Sequence, residues 1–408
     1  MRFAHTLFVI SLLAPLPAAW AQSAPHAVLT EADAVRSGLA RNDLADLEQG
    51  STKAAEADAL AAGQRPNPVL SYGYDRVGGT PDTVEHSLML SQTFDPAHRR
   101  DLRRQAADRR ADAVGADHLG RRVGIAAEIR REFHAALYRQ AVVQAADTWV
   151  QRFARIEALV AKLARAGEAS GYDQRRLTRE RVASEVRLVS ERAELERALT
   201  RLGVLAGRSD RLAVAGELSP PPLPALDAAL GRLDQRPDLL ALARRAEAAD
   251  LEGRAAGKGG IPEITVGIGP KWVDNGFRKD NGVVVALSMP LPVFDRQQAG
   301  RQRAAGEAMQ HRAEYRLAHT RAEGDLRGLH RQAAQLRTAA ADYRRRAVAP
   351  LPDLLRIAEL AYQGGESSLL ELLDAYRGAL ETEIAALDLE HRARAARIEY
   401  DLITGSVE

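Results

Sequence analysis

The sequence predicts a mainly α-helical protein with a small β part and an internal twofold repeat. Three observations predict this class: long helical runs almost without proline, four short segments with strand-like alternation, and two matching motifs half a chain apart. After Pro96 the chain continues to Ala166 without another proline, and about 70 residues of helix extend about 105 Å. Because a globular domain needs no such length, we expect the long helices to pack as antiparallel hairpins.

The N-terminal residues 1–21 are predicted to be a removable export signal. A charged start, Met1-Arg2, precedes a short apolar run, and Ala19 and Ala21 supply small residues just before Gln22. No later segment approaches the about 18 apolar residues of a membrane-spanning helix. The mature chain is therefore expected either to be soluble outside the cytoplasm or to enter a membrane as strands.

The composition argues against several kinds of function. The 408 residues include no cysteine, which rules out disulfides and thiolate metal ligands, and a net charge of +2 gives no argument for nucleic acid. No G-x-S-x-G, phosphate-loop or HExxH motif is present. His311, His319 and His330 are 8 and 11 residues apart, which no compact metal site requires. We therefore expect no enzyme, no cofactor and no metal site.

Two halves of the chain resemble each other. The segment "LARAGEASGYDQRRL" (163–177) matches "LAYQGGESSLLELL" (360–373), with Gly167 aligned to Gly365. Gly207 and Gly405 each follow 40 residues later, at the same offset of 198. The predicted units are a first repeat over 22–215, an extended proline-rich connector over 216–235, and a second repeat over 236–408.

Each repeat is expected to contain a helix, a β-hairpin and a long helical hairpin. In the first repeat these are a helix over 30–63, strands over 68–94, and helices over 96–166 and 172–206. In the second repeat they are a helix over 236–258, strands over 262–292, a helix from 296 to 349 that Pro350 and Pro352 are expected to bend without ending its pattern, and a helix over 366–404. Since two short helices together match one long helix, we expect them to stack end to end beside it.

The four strands allow two interpretations. Leu70, Tyr72 and Tyr74 alternate with Ser71 and Gly73, and the other three segments alternate in the same way. Strands of this length, with one apolar face, match tilted membrane-spanning strands of about 9 to 11 residues. Four strands cannot close a barrel, so several subunits would have to share one. The alternative is a small soluble sheet beside a helical bundle.

Several stretches, taken in order, resemble one known family. They are "LTEADAVRSGLARN" (29–42), "AGQRPNPVLSYGY" (62–74), "LSQTFDPAHRRDLRRQAA" (90–107), "RPDLLALARRAEAADLEGRAA" (236–256), "IPEITVGIG" (261–269) and "YQGGESSLLELLDAYRGALETEIAALDLE" (362–390). Together they resemble the TolC-type outer-membrane efflux proteins, and "RPDL" and "GESSLLELLDA" are the most specific pieces. The modest length, "GQRPNP" and "IPEITVG" look closest to the outer-membrane components of cobalt, zinc and cadmium efflux.

This resemblance implies a homotrimer. Each subunit would contribute its four strands to a twelve-stranded β-barrel in the outer-membrane lipid, and the helices would continue as a periplasmic tunnel. The implied partners are a periplasmic adaptor protein and an inner-membrane RND-type pump, with the channel as a passive conduit for heavy-metal cations. The alternatives are a drug-efflux or type I secretion channel, and a soluble periplasmic coiled-coil scaffold or adaptor.

Glycine-containing turns are predicted at the far ends of the helical hairpins. Gly364 and Gly365 are expected to reverse the chain there, where φ has to be positive. The polar residues that follow are expected to meet the free amides of the returning helix. The predicted tip residues, candidates for an adaptor contact, are Gly167, Glu168, Ser170, Gly364, Gly365, Glu366, Ser367, Ser368 and Leu369.

Two acids follow the second tip. Glu371 and Asp374 are three residues apart and so share a helix face. Matched to the family motif, they resemble the acids that line the narrow periplasmic mouth of the channel, and Asp173 of the first tip is a further candidate. Threefold symmetry would turn such acids into carboxylate rings that attract cations. The alternative is a solvated helix face.

Overall fold

A computed structural model describes residues 27–209 and 212–405 of the chain, so the predicted export signal over 1–21 lies outside the described residues. In the first half the elements are β1 (Ala27–Leu29), α1 (Glu31–Leu39), α2 (Asn42–Gly63), β2 (Val69–Val77), β3 (Thr83–Phe94), α3 (Arg99–Ala166), α4 (Gly171–Ala206) and β4 (Leu212–Val214). In the second half they are α5 (Leu226–Leu230), a 3₁₀ turn (Leu233–Gln235), α6 (Pro237–Gly257), β5 (Ile264–Asp274), β6 (Lys279–Ser288), α7 (Gln298–Tyr343), a π turn (Arg344–Val348), α8 (Leu351–Gln363) and α9 (Leu369–Thr404).

The continuous helix α3 is the axis of the molecule. Its 68 residues extend about 100 Å, and α2 and α4 both pack along it. A contiguous core joins Ile129 and Phe133 of α3 to Leu202 of α4 and Val214 of β4. On its other side α3 contacts α6 and α9, which belong to the second half. The long helix therefore lies beside shorter helices and also joins the two halves.

The four long strands form one antiparallel sheet in the order β2-β3-β5-β6. Alternation gives this sheet one apolar face and one face of small and polar side chains. The apolar side chains are exposed in the single chain, and β2 and β6 each pair on one side only within the described residues. The apolar face includes Leu70, Tyr72, Leu88, Leu90, Ile268, Val285 and Leu287, and the opposite face includes Ser71, Gly73, Ser87, Ser91 and Gly267.

The helix predicted over 30–63 is in fact two helices, α1 and α2, with a break after Leu39. A Cβ on Gly38 would lie 2.3 Å from Ile129 Cδ1, so the missing side chain lets α1 approach α3 closely. At the break Arg41 is extended, with ψ 138°, and its Nη1 donates to Val204 O of α4 at 2.9 Å. The prediction was wrong because these contacts are tertiary and leave no mark in the local sequence.

The connector predicted over 216–235 is only partly extended, because it contains α5 and the 3₁₀ turn. Two arginines of α9, Arg394 and Arg397, hold its extended part by donating hydrogen bonds to successive backbone carbonyls. Prolines lack an N–H, so carbonyl oxygens are the polar groups that such a segment offers. The acceptors are the carbonyl oxygens of Glu217, Leu218, Ser219, Pro221 and Pro222.

The second helical hairpin is interrupted where α7 gives way to the π turn and then to α8. Pro350 has no N–H, and its ring would clash with the carbonyl four residues earlier in a regular helix. The helix instead takes one additional residue into this turn, so that Ala349 N donates to Arg344 O, five residues earlier, at 2.9 Å. Arg344 also pairs with Glu390 of α9 at 2.6 Å, which fixes the interruption against the neighbouring helix.

Candidate functional site at the helical tips

Two turns form the end of the molecule farthest from the sheet: one joins α3 to α4 and the other joins α8 to α9. Gly167 and Gly365 both adopt positive φ, at 84° and 75°. Glu168 N donates to Leu163 O at 2.9 Å, and Glu366 N donates to Ala361 O at 2.8 Å, so the same bond closes both helix ends. Gly364, by contrast, has an ordinary φ of −77°, so the positive φ expected of both glycines is found at Gly365 alone.

Both returning helices begin with the same reciprocal cap. Asp173 N donates to Ser170 Oγ at 3.1 Å, and Ser170 N donates back to the Asp173 carboxylate at 3.3 Å. At the second tip the pair is Ser368 and Glu371, with distances of 3.3 Å and 2.8 Å. This arrangement satisfies amides that would otherwise lack a partner at a helix N-terminus. The returning helix α9 thus starts after Ser368, and Glu168, Glu366 and Ser367 belong to the turns themselves.

Two of the three acids that are predicted to line the periplasmic mouth are part of these caps, and the third is not. The backbone N–H of Ser368 donates to the Glu371 carboxylate and holds its pKa below the ordinary value, so Glu371 is ionised but already engaged. Asp173 is engaged in the same way at the first tip. Asp374 is exposed and accepts no hydrogen bond from any described residue. Among the three, Asp374 therefore has the carboxylate that is free to face a ligand or another subunit.

A buried apolar cluster lies directly above the tips and joins the two hairpins. Trp149 of α3 meets Tyr376 of α9 edge to face, with ring centroids 5.6 Å apart. Leu369 is part of this cluster and only 4% exposed, so it packs the interior rather than lying available to an adaptor. The exposed apolar side chains at the tips are instead Tyr172 and Leu370. The buried members are Trp149, Phe153, Ile156, Val160, Leu177, Leu355, Leu369, Leu372, Leu373, Tyr376, Ala379 and Leu380.

Polar bonds that no motif predicted connect the same helices. Trp149 Nε1 donates to Glu383 at 3.0 Å, and Arg377 of α9 pairs with Glu180 of α4. The Tyr376 hydroxyl donates to Glu359 of α8; burial, together with this carboxylate, raises the pKa of Tyr376. The regular spacing of Leu369, Leu372 and Tyr376 along one helix face would have indicated the buried face, but it gives no information about these partners.

Two apolar stripes remain uncovered on opposite edges of this end of the molecule. On α4 the stripe consists of Val182, Val186 and Val189, and on α8 it consists of Leu354, Ile357 and Leu360. All six side chains are between 46% and 66% exposed. The helix α4 packs on α3, and α8 packs on α9, so the helix order places the two stripes on opposite sides. We call them the α4 stripe and the α8 stripe.

No group of three or more metal-ligating side chains occurs within residues 27–209 and 212–405. The three histidines of α7 each have a protein partner instead: Glu314 at 3.0 Å from His311, Asp234 at 3.2 Å from His319, and the Pro224 carbonyl at 3.3 Å from His330. In the described part of the chain no helix has the length and apolar character needed to cross a membrane.

Comparison with known proteins identifies relatives that match different shares of the chain. A family model described as outer membrane efflux protein matches residues 232–406. The cobalt-zinc-cadmium resistance protein CzcC of Cupriavidus metallidurans is 27% identical over 315 residues, covering 75% of this chain and 74% of CzcC. Among solved structures, CusC superimposes with a TM-score of 0.76 at 19% identity and covers 92% of each chain.

A second structural comparison gives the same fold. VceC, an outer membrane protein of Vibrio cholerae, has a TM-score of 0.72 at 17% identity and covers 93% of this chain and 97% of VceC. These matches agree with the predicted family, whose members are channels and not enzymes. Residues 232–406 match the outer membrane efflux protein family, and most of the chain has the fold of solved outer-membrane channels.

Proposed function

We propose that three copies of this chain form a passive conduit in which their strands close one twelve-stranded barrel. The observation that carries this proposal is the sheet itself, which has one apolar face and one small and polar face, and whose two edges have no strand partner among the described residues. A sheet exposed in this way is unstable in water and has the composition of a strand wall between lipid and an aqueous lumen.

The dimensions of the strands support a membrane-spanning role. The four strands have 9, 12, 11 and 10 residues, close to the about 9 to 11 that a tilted strand needs to cross a bilayer. Tyr74, His86 and Trp272 form a row of rings on the apolar face near one end of the sheet. Phe94 lies on that face at the opposite end. Aromatic side chains at both ends of an apolar band are typical of barrels in outer membranes.

The helical edges supply the second set of contacts between copies. The α4 stripe and the α8 stripe lie on opposite sides of one subunit and reach the same height at Val182 and Leu354, so the lower end of the α4 stripe of one copy adjoins the upper end of the α8 stripe of the next. Such a head-to-tail contact closes into a ring when the rotation between copies is 120°. Covering exposed aliphatic side chains of these stripes stabilises the ring by the hydrophobic effect.

Cross-linking of introduced cysteines tests this arrangement, since the natural chain has no cysteine. Val182 and Leu354 both lie about 15 Å above their tips, one in each stripe. The variant carrying both Val182→Cys and Leu354→Cys should give covalent trimers with a short bifunctional maleimide in outer-membrane extracts. Each single variant is the control and should stay monomeric on denaturing gels. A double variant that links only within one chain, or not at all, contradicts the proposed ring.

We further propose heavy-metal cations as the cargo and an adaptor with an RND-type pump as the partners. Support comes from CzcC, whose name records cobalt, zinc and cadmium resistance. Drug efflux remains the second candidate, because a shared fold does not specify the cargo. A deletion strain should lose tolerance to zinc, cobalt or cadmium and keep its tolerance to drugs. Loss of drug tolerance alone would assign the channel to drug efflux.

The gate of this conduit is proposed to be a ring of Asp374 from three copies. This carboxylate is exposed and accepts no hydrogen bond from a described residue, whereas Glu371 and Asp173 cap their own helices. Asp374→Ala should raise single-channel conductance or weaken block by divalent cations in planar bilayers. Glu371→Gln should change the conductance less. Equal effects of the two variants, or none from Asp374→Ala, would remove the proposed role of Asp374.

The two halves are proposed to be copies of one unit, 22–215 and 236–408, that each supply one hairpin to the barrel and one to the tunnel. Several backbone features recur at nearly constant spacing. Gly207 and Gly405 both end their helices with positive φ, at 65° and 73°. His98 and Gln297, which precede the long helices α3 and α7, are the two non-glycine residues with positive φ in the described part of the chain.

A further inference from the structure

The first turns of the two long helices carry many arginines, directly below the end of the sheet. Residues 99–104 of α3 contain four arginines and one aspartate, and residues 296–303 at the start of α7 contain three arginines and no acid. Arg65, just before β2, and Lys258, just before β5, lie at the same level of the chain. We call this set the basic collar. Its residues are Arg65, Arg99, Arg100, Arg103, Arg104, Lys258, Arg296, Arg301 and Arg303.

Most of the collar has no carboxylate partner in the described part of the chain. Arg99 pairs with Glu263 at 3.0 Å and lies near Asp95, so its charge is already balanced. No ion pair to a described residue is formed by Arg65, Arg103, Arg104, Arg301 or Arg303. An excess of unpaired positive charge confined to one level of an elongated molecule repels itself unless an anion lies beside it.

A concave site opens within the collar where β3 meets α3. Arg100 lines it, and Arg100 Nη1 is buried without a hydrogen-bond partner. Of the two acids in the same wall, Asp95 accepts from Arg100 N at 3.0 Å and Asp101 contacts His98 at 3.1 Å. Asp95 Oδ1 is buried without a hydrogen-bond partner in the described part of the chain, but it lies 3.5 Å from Arg99 Nε, which balances its charge. Arg65 and Arg100 therefore supply the excess cationic donors of the site. Its wall is formed by Gly63, Arg65, Gln92, Thr93, Phe94, Asp95, Pro96, His98, Arg100 and Asp101.

Apolar side chains lie next to these charges. Phe94 is 54% exposed in the wall of the site, and the segment after β6 exposes Leu291, Val293 and Phe294, the last at 91%. Asp295 and then Arg296 follow this segment. Apolar side chains that insert at a bilayer surface, flanked by arginines at the headgroup level, are the pattern of an interfacial contact with anionic lipid.

We propose that the basic collar binds the phosphate headgroups of anionic phospholipids in the periplasmic leaflet of the outer membrane. The inference rests on the proposed barrel, since the strands set the membrane level and the collar begins where they end. Arginine matches phosphate well because its planar donors form paired hydrogen bonds. The adjacent apolar segment argues for a lipid rather than free phosphate, because only a lipid extends from its headgroup into hydrocarbon.

The test uses the detergent-purified oligomer exchanged into nanodiscs. One set contains phosphatidylcholine alone. The other contains phosphatidylcholine and phosphatidylglycerol at about 7:3, which gives the bilayer a moderate negative surface charge. The lipid retained after re-extraction into detergent is measured by mass spectrometry. The natural protein should retain phosphatidylglycerol in at least about tenfold preference over phosphatidylcholine, and raised salt should reduce that preference.

The collar variant carries Arg103→Gln, Arg104→Gln, Arg301→Gln and Arg303→Gln. Its matched control carries Arg175→Gln, Arg187→Gln, Arg201→Gln and Arg331→Gln, which remove the same charge at exposed positions away from the collar. The collar variant should lose most of the lipid preference, and the control should keep it. Equal loss in both variants, or no preference in the natural protein, would overturn the proposal.

Two further measurements distinguish lipid binding by the collar from binding of a free anion and from failure of the proposed barrel. Inorganic phosphate, compared with chloride at equal ionic strength, should displace no additional lipid; extra displacement would assign the collar to a free anion and overturn the lipid proposal. An oligomer that inserts into nanodiscs without preferring phosphatidylglycerol would contradict the collar alone. A chain that stays soluble and monomeric would contradict the barrel, on which the collar depends.

Discussion

The two helical hairpins end alike but differ along their length. Both tips use a glycine with positive φ and a serine cap, at positions that differ by 198. In the first hairpin the helix that leads to the tip, α3, is uninterrupted. In the second hairpin the helix that leads to the tip is interrupted by a π turn and Pro350. The tip geometry is therefore set by a few local residues, whereas the path of the helix above the second tip is set by one proline and one ion pair.

The largest effect should come from the core that the two hairpins share. Leu177 of the first hairpin and Leu373 of the second are at most 1% exposed and belong to one cluster. Leu177→Ala and Leu373→Ala should each lower the free energy of unfolding by about 3 kcal/mol, because each leaves a cavity. Denaturant unfolding in detergent, followed by tryptophan fluorescence, measures the loss. Leu370→Ala, at an exposed position, is the control and should change it by less than about 0.5 kcal/mol.

Should Leu177→Ala prove as harmless as Leu370→Ala, the shared core would not connect the hairpins as described.

The next effect distinguishes the adjacent glycines of the second tip. Gly365 has a φ of 75°, which L-residues adopt at a cost of about 1 to 2 kcal/mol, and Gly364 has an ordinary φ. Gly365→Ala and Gly167→Ala should therefore each reduce stability by about 1 kcal/mol or more, measured by the shift in the denaturant midpoint. Gly364→Ala provides the matched control and should be neutral or slightly stabilising. Equal losses at 364 and 365 would mean that the turn differs from the one described.

The caps should contribute a similar but slightly smaller amount at both tips. Ser170→Ala and Ser368→Ala each leave amides at a helix start without a partner, with an expected loss of about 1 kcal/mol. Ser367→Ala, whose residue lies beside the cap and does not form it, is the control. Hydrogen exchange of the first turn of α9 should accelerate in Ser368→Ala only. A loss confined to one tip would show that the two caps are not equivalent.

The smallest effect is a pH dependence at the second cap. The Ser368 backbone N–H lowers the pKa of Glu371 in the folded state, so the stabilisation exists above the unfolded pKa of about 4.3 and disappears as pH falls through the lower folded pKa. Glu371→Gln should thus be less stable than the natural protein at pH 7, and the two should converge once the pH lies below that lowered pKa. Glu168→Gln, at a residue of the other turn that caps no helix, is the control for removal of an acid. A difference that persists unchanged at low pH would exclude the charge as its cause.

The sequence predicted the tips better than it predicted the contacts between distant segments. The glycine positions follow from the repeat, and the pattern Ser368-x-x-Glu371 already has the form of a capping box, which would have revealed that Glu371 is engaged. The bonds from Arg394 and Arg397 to the connector span about 175 residues and could not be read from local pattern. The break after α1 likewise depends on the packing of Gly38 against Ile129.

The central claim is that the sheet separates lipid from water, and adjacent valines of β6 test it most directly. Val285 lies on the apolar face and Val284 on the opposite face. Val284→Cys and Val285→Cys, each labelled with a nitroxide in the reconstituted oligomer, report access to oxygen in lipid and to a nickel chelate in water. We expect the label at 285 to be relaxed by oxygen and the label at 284 by the nickel chelate. Strong relaxation of both labels by the nickel chelate would contradict it.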